Sequence, residues 1–468
     1  MTRTACVHSE ARAPRTTACG GAVLAGLLAF LLALPVPATA AEPPALAGLD
    51  VLYPSLDALY LDLHRNPEIS QHEARTAAEM AARLRAVGFD VTEHVGVTGV
   101  VGVLKNGKGP TVLVRTDLDA LPMPEKTGLP YASSVTTKND AGETVPVMHA
   151  CGHDVHMTSW VGAATLLASD RSRWSGTLVF VGQPAEETLR GAEAMVKDGL
   201  LTRFPRPDFV VGLHVTNLLP SGAVGVTSGP SSAASNAVDV TFHGRGGHGA
   251  MPQRTIDPVL IAARTVVALQ SIVSREVNPF DPAVVTVGTF HAGTKRNIIP
   301  DDAKLELTVR SYKPEVQKQL LAAIARIAKA EAAAGGASRE PDVFVDPREA
   351  SDVVVNDPAL AARLESALRR GLGAPNVLPH EPSSSSEDFG VYGRVAGVPS
   401  VQLRVGAIAP AELTRAKAEG RFVPGPHNSL FAPDREPTIR TGVAALTISA
   451  LELLGRPAAK PQGLSTGR

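Results

Sequence analysis

The sequence predicts an α/β protein: a largely parallel sheet flanked by helices and interrupted by an inserted α+β unit of βαββαβ order. Three observations predict it. Short apolar, β-rich runs alternate with helical patterns between residues 100 and 213, the rhythm of buried strands joined by crossover helices. A Ser-Gly-Pro-rich stretch at 228–234 then breaks that rhythm, and six elements follow in a new order. From about residue 347 a helix and an apolar strand resume the first pattern, which makes the middle unit an insertion.

At the start of the 468-residue chain, Arg3, Arg12 and Arg15 precede an apolar run over 22–34 and the small-residue sequence Ala38-Thr39-Ala40. Together these read as a signal peptide over 1–41. The run is shorter than the ~20 residues that span a bilayer, so the expectation is export, periplasmic or secreted, with no stable membrane span after cleavage. Removing 1–41 takes three Arg and one Glu and leaves 42 basic against 45 acidic residues, a net charge of −3. No basic footprint points to nucleic acid. Cys6 and Cys19 leave with that segment and Cys151 alone remains, so no disulfide framework exists within one mature chain. About 425 remaining residues exceed one core. The expected domains are 42–230 with 346–468, and the inserted 231–345.

A helical stretch over 46–64 leads into Asn66-Pro67-Glu68-Ile69-Ser70, and a second helix follows over 73–87. Strands are expected at 100–104, 111–115, 177–181 and 208–213, with helices near 154–169 and 190–200. The insertion reads as strand 237–243, a Gly-rich turn, helix 256–276, strands 283–292 and 303–311, helix 314–334 and strand 342–345. Helix 358–372 and strand 400–405 return to the first domain.

Chemistry-bearing residues follow three of these strands: Asp117 and Asp119, then Glu186 and Glu187, then His214. Ligands of open α/β sheets bind outside the carboxyl ends of the strands, so one rim collects them. Cys151 and His153 stand two residues apart at the start of a helix, where the dipole favours a thiolate. A Glu-Glu pair alone reads as solvated surface, and a histidine on an apolar background reads as core. Together with Cys151 and His153 they form a mixed ligand set, in which one glutamate binds metal and the other handles protons. Pro426-His427-Asn428 adds a histidine in a loop. Five ligands exceed the three typical of one catalytic zinc and suit two divalent ions sharing a water.

The chain resembles the hippurate hydrolase, N-acyl-amino-acid hydrolase and indole-acetyl-amino-acid hydrolase branch of the metal-dependent aminoacylase and carboxypeptidase superfamily. The resemblance is carried by His64-Arg65-Asn66-Pro67-Glu68, Arg115-Thr116-Asp117-Leu118-Asp119, Met148 through His156, Gln183 through Glu187, Gly212-Leu213-His214-Val215, Gly246-Gly247-His248-Gly249, Arg296-Asn297-Ile298-Ile299-Pro300 and Ser386-Glu387-Asp388-Phe389. It implies that Cys151, His153, Glu187, His214 and His427 hold two divalent ions per subunit, Zn or Mn, and that Glu186 is the general acid/base. It also implies that Asp117 orients a ligand and that Asn297 and Arg310 hold the substrate. His248 would reach the partner subunit's active site and stabilise the oxyanion, which makes the insertion a lid and dimerisation domain. Two departures stand out: residues 383–386 are all Ser where the family usually has Gly, and 407–422 lengthens the approach to His427.

The reading is an exported homodimeric metallohydrolase that cleaves the amide of an N-acyl or N-aroyl amino acid. A carboxypeptidase or dipeptidase would use the same residues. A metal- or ligand-binding exported protein without catalysis would have no use for Glu186.

Overall fold

A computed structural model describes residues 46–455; the expected signal segment lies outside them. Helices α1 (Leu49–Arg65) and α2 (Ala74–Ala86) open the chain. Strands β1 (Asp90–Val95), β2 (Gly99–Asn106) and β3 (Thr111–Asp117) precede helix α3 (His153–Ser169). Strands β4 (Gly176–Gln183), β5 (Phe209–Pro220) and β6 (Val224–Val226) follow. The insertion contributes β7 (Ala234–His243), α4 (Pro258–Ser271), β8 (Ala283–Ala292), β9 (Asp302–Ser311), α5 (Pro314–Ala334) and β10 (Asp342–Ser351). Helix α6 (Pro358–Leu372), β11 (Val377–Pro379), β12 (Ser400–Ile408) and α7 (Arg435–Leu454) complete the chain.

The main sheet runs β1-β2-β4-β3-β5-β12-β6-β11. Its centre is parallel, β4 to β3 to β5 to β12, whereas β1–β2, β2–β4 and β12–β6 are antiparallel. The run 100–104 therefore joins antiparallel, and β1, whose Asp-Val-Thr-Glu-His-Val sequence lacks an apolar run, was not legible. Both faces are covered, as a parallel sheet requires. One face packs on α1, α3, α6 and α7 through residues such as Leu56, Trp160, Leu364 and Val443. The other carries Val181, Met195, Phe389 and Tyr392.

Helix α3 is buried around nearly its whole circumference, the mark of a core helix rather than a surface one. Gly162 and Gly442 let α3 and α7 approach: a Cβ on either would strike Val443 or Ser159 of the other helix. Trp160 is fully buried and donates its indole N–H to the Val114 carbonyl at 3.0 Å, fixing α3 against β3. Its burial contributes about 2–3 kcal/mol.

The insertion forms a separate antiparallel sheet, β8-β9-β7-β10, with α4 and α5 closing a core of Val240, Leu307, Leu320 and Ile324. The βαββαβ order holds. The stretch 228–234 is not an irregular linker, because Gly229–Ser232 pairs antiparallel with Val354–Asn356. Outgoing and returning segments thus form one ribbon. Strand β10 continues to Ser351, six residues past its expected end, and helix Pro410–Glu419 fills most of the lengthened stretch 407–422.

Candidate metal centre

Helix α3 starts at His153, one residue before the expected 154, and Gly152 caps it with a φ of 82°. That left-handed turn brings Cys151 and His153 to one side, and a Cβ on Gly152 would lie 2.6 Å from Val215 Cγ2. Strand β5 runs on to Pro220 past its pairing with β3, so His214 lies within a strand and not beyond its end. Asp117 is likewise the last residue of β3.

These elements bring all five expected ligands together. Donor atoms of Cys151, His153 and His214 lie within 4.8 Å of one another, as do those of Cys151, Glu187 and His427, and those of His153, Glu186 and Glu187. Cys151 Sγ is 3.4 Å from His214 Nε2, and Glu187 Oε2 is 3.2 Å from His427 Nε2. His214 donates from Nδ1 to the Val215 carbonyl at 2.7 Å, leaving Nε2 as a lone-pair donor. His153 does the same with the Asp119 carbonyl at 2.8 Å. His427 holds a φ of 65° and donates its backbone N–H to Ala150 at 2.9 Å, so the lengthened segment before it does not displace it.

The arrangement fits metal ions on its own terms. His153 Nε2 and Glu187 Oε1 are buried without a hydrogen-bond partner, a costly state for polar atoms unless a cation completes them. Burial and the nearby Glu187, Glu186 and Asp117 push the Cys151 thiol well above its ordinary range, so a thiolate here requires bound positive charge. Burial alone would lower His153, but Asp117, Asp119 and Glu187 raise it to about 10.

Asp117 is surrounded by donors. His156 Nδ1 donates to Oδ1 at 2.7 Å, and Arg115 Nη1 donates to Oδ2 at 2.7 Å. His156 Nε2 in turn accepts from the Val215 N–H at 2.9 Å, so both its ring nitrogens are engaged and it is an orienting group rather than a ligand. Arg115 is fully buried and also reaches Gln183, Glu387 and Asp388 at 2.8, 3.0 and 3.2 Å. Glu186 is buried beside Glu387 and Asp388. Burial, Glu387, Glu187 and Asp388 hold its carboxyl well above the usual range, against the pull of Arg115. A carboxyl so poised can accept and return a proton.

Three expected residues stand apart from this cluster. His248 and Asn297 are exposed on a short hairpin pairing Gly247–His248 with Ile298–Ile299, and the hydrogen bonds of His248 stay local. Arg310 is half-buried and donates to Ser386 Oγ. Sequence reasoning gave no role to Arg115, His156, Glu387 or Asp388. Each lies inside a quoted motif, yet only the fold brings Glu387 to Arg115 across 272 positions.

The fold and this donor set define a metallohydrolase of the aminoacylase–carboxypeptidase type. The chain belongs to the peptidase family M20/M25/M40, whose model matches residues 113–419. It is 38% identical over 332 residues to a hippurate hydrolase from Campylobacter jejuni, covering 70% of this chain and 82% of that protein. It is 34% identical over 394 residues to thermostable carboxypeptidase 2 from Saccharolobus solfataricus, covering 83% and 93%. Among solved structures it is similar to a dinuclear metal-binding peptidase of family M20 from Bacillus subtilis, with 28% identity, a TM-score of 0.69 and coverage of 86% and 99%. The protein is thus a metal-dependent amidohydrolase or peptidase.

Proposed function

We propose that the protein is an exported, dinuclear amidohydrolase that cleaves N-acyl or N-aroyl amino acids to a carboxylic acid and a free amino acid. The observation that carries this reading is Glu186, a buried carboxyl with a raised proton affinity beside five convergent thiol, imidazole and carboxylate donors. Cys151, His153, Glu187, His214 and His427 would hold two divalent ions, Zn or Mn, which when bound supply an acidified water and polarise a carbonyl. Glu186 takes the proton from the attacking water and returns it to the departing amine. Arg115 and His156 fix Asp117 beside the centre, and the Asp119 carbonyl, which accepts from His153 Nδ1, keeps the His153 Nε2 aimed at it. Arg310 binds the substrate carboxylate, and Asn297 holds the substrate at a separate point.

His248 would donate to the oxyanion from the second subunit of a homodimer, since in its own chain it is solvent-exposed. The helix Pro258–Glu276 supports a dimer through the insertion: it is apolar, one third buried, and leaves Leu260 and Val267 exposed. Export rests on the 1–41 segment alone.

A carboxypeptidase or dipeptidase is the second reading, favoured by the similarity to thermostable carboxypeptidase 2. Metal-loaded protein assayed on N-acyl amino acids, amino-acid amides and dipeptides separates them. Preferred turnover of N-acyl amino acids is expected. Preference for dipeptides would establish the second reading, and no turnover of any would remove both.

A further inference from the structure

Arg404 of β12 lies beside the candidate ligand His214 of β5, their Cα atoms being partners in the parallel ladder, so the two side chains leave the same face of the sheet. It is only 5% exposed. A buried guanidinium is ordinarily neutralised by carboxylates, as Arg115 is by Asp117, Glu387 and Asp388. Arg404 is not. Among the described residues its side chain makes one hydrogen bond, Nη2 to Ser232 Oγ at 2.7 Å, and no ion pair. Most of its N–H donors have no protein partner.

His380 stands alongside. Gly225 of β6 is the antiparallel partner of Arg404, and a Cβ placed on it would meet His380 Cβ at 2.7 Å. His380 therefore packs on the face from which Arg404 projects, and both its ring nitrogens are buried without a partner. A fixed cation next to His214 and Cys151 opposes metal binding there, so support of the metal centre does not explain it. Arg310 shows the same pattern, held by a serine hydroxyl and in no ion pair. Ser232 bridges to Ser383, and the partner of Arg310 is Ser386, so two arginines with no carboxylate in contact approach the ends of one four-serine run.

We propose that Arg404, with His380 and Ser232, binds a second carboxylate of the substrate, so that the preferred substrates are dianionic. One carboxylate goes to Arg310; the other lies on the acyl chain or on the amino-acid side chain. This rests on the amidohydrolase reading above.

The test compares N-acetyl-glutamate, N-succinyl-alanine and N-acetyl-alanine on the metal-loaded enzyme. At least one dianion should exceed N-acetyl-alanine in kcat/KM, and which one does so tells where the second carboxylate sits. Arg404→Gln should lower the dianion-to-monoanion ratio of kcat/KM about 100-fold, mostly through KM, and Arg404→Lys should recover part of it. A merely structural role would depress all three substrates alike and leave the ratio unmoved. Independently of turnover, glutarate should raise the Tm of the wild type more than acetate does, and Arg404→Gln should lose that difference. Wild-type preference for N-acetyl-alanine, with glutarate no better than acetate, overturns the dianion proposal and leaves the amidohydrolase reading standing. No turnover of any substrate, with glutarate protection lost in Arg404→Gln, upholds the anion site and overturns the amidohydrolase reading.

Discussion

Glu186 and Glu187 are neighbours in sequence with opposite surroundings. Glu187 receives the Nε2 of His427 at 3.2 Å and leaves Oε1 unpartnered toward His153, whereas Glu186 faces Glu387 and Asp388. Glu187→Gln and Cys151→Ser should therefore lose metal, read by elemental analysis of dialysed protein. Glu186→Gln should keep its metal and turn over ~10²–10⁴ more slowly, the range of a general acid/base. Equal metal content and equal rates in the two glutamate variants would refute this division of roles. The candidate ligands were legible in the sequence through their residue types, and the choice of Glu187 over Glu186 through the family resemblance. Arg115 was not: an arginine before an Asp-x-Asp motif reads as surface charge until the fold encloses it with Asp117, Glu387 and Asp388.

At the scale of elements, the candidate ligands are held by ties between segments. His64 in α1 pairs through Nδ1 with Asp154 of α3 at 2.7 Å and through Nε2 with Glu125 at 3.2 Å. Asp154 adjoins His153, and Lys126 donates its backbone N–H to the Ser429 carbonyl at 2.8 Å, two residues from His427. His64 thus joins two ligand-bearing segments. Burial would lower its pKa, but Asp154 and Glu125 raise it from 6.5 to about 9. A raised folded-state pKa gives stability that is complete below 6.5 and lost as pH rises through about 9. The deficit in Tm of metal-free His64→Gln against wild type should accordingly shrink across that window in calorimetry. A constant deficit would mean that His64 is neutral throughout. The sequence displayed α5, α6 and β8 to the residue, since Pro starts both helices and alternation marks the strand. It hid β1, where polar residues obscure the period.

On the scale of the whole molecule, the reading of His248 calls for two chains. His248→Ala should cut kcat by ~10²–10³ with metal content unchanged. Subunit exchange between it and Glu186→Gln should restore activity, because one site per heterodimer then joins an intact Glu186 to an intact His248. Exchanged mixtures that stay inactive, with heterodimers confirmed by mass, would exclude the arrangement in trans. The insertion was legible as a unit, yet its attachment was not, because Gly-Pro-Ser-Ser reads as a loop until Val354–Asn356 returns to pair with it. That pairing has a topological consequence. Ser232 and Val354 stand opposite each other in one ladder, so the chain leaves the main sheet and re-enters it at a single doorway. The main sheet's strand order is therefore indifferent to what lies beyond that doorway, and everything between could be cut out and the ends rejoined without rethreading a strand.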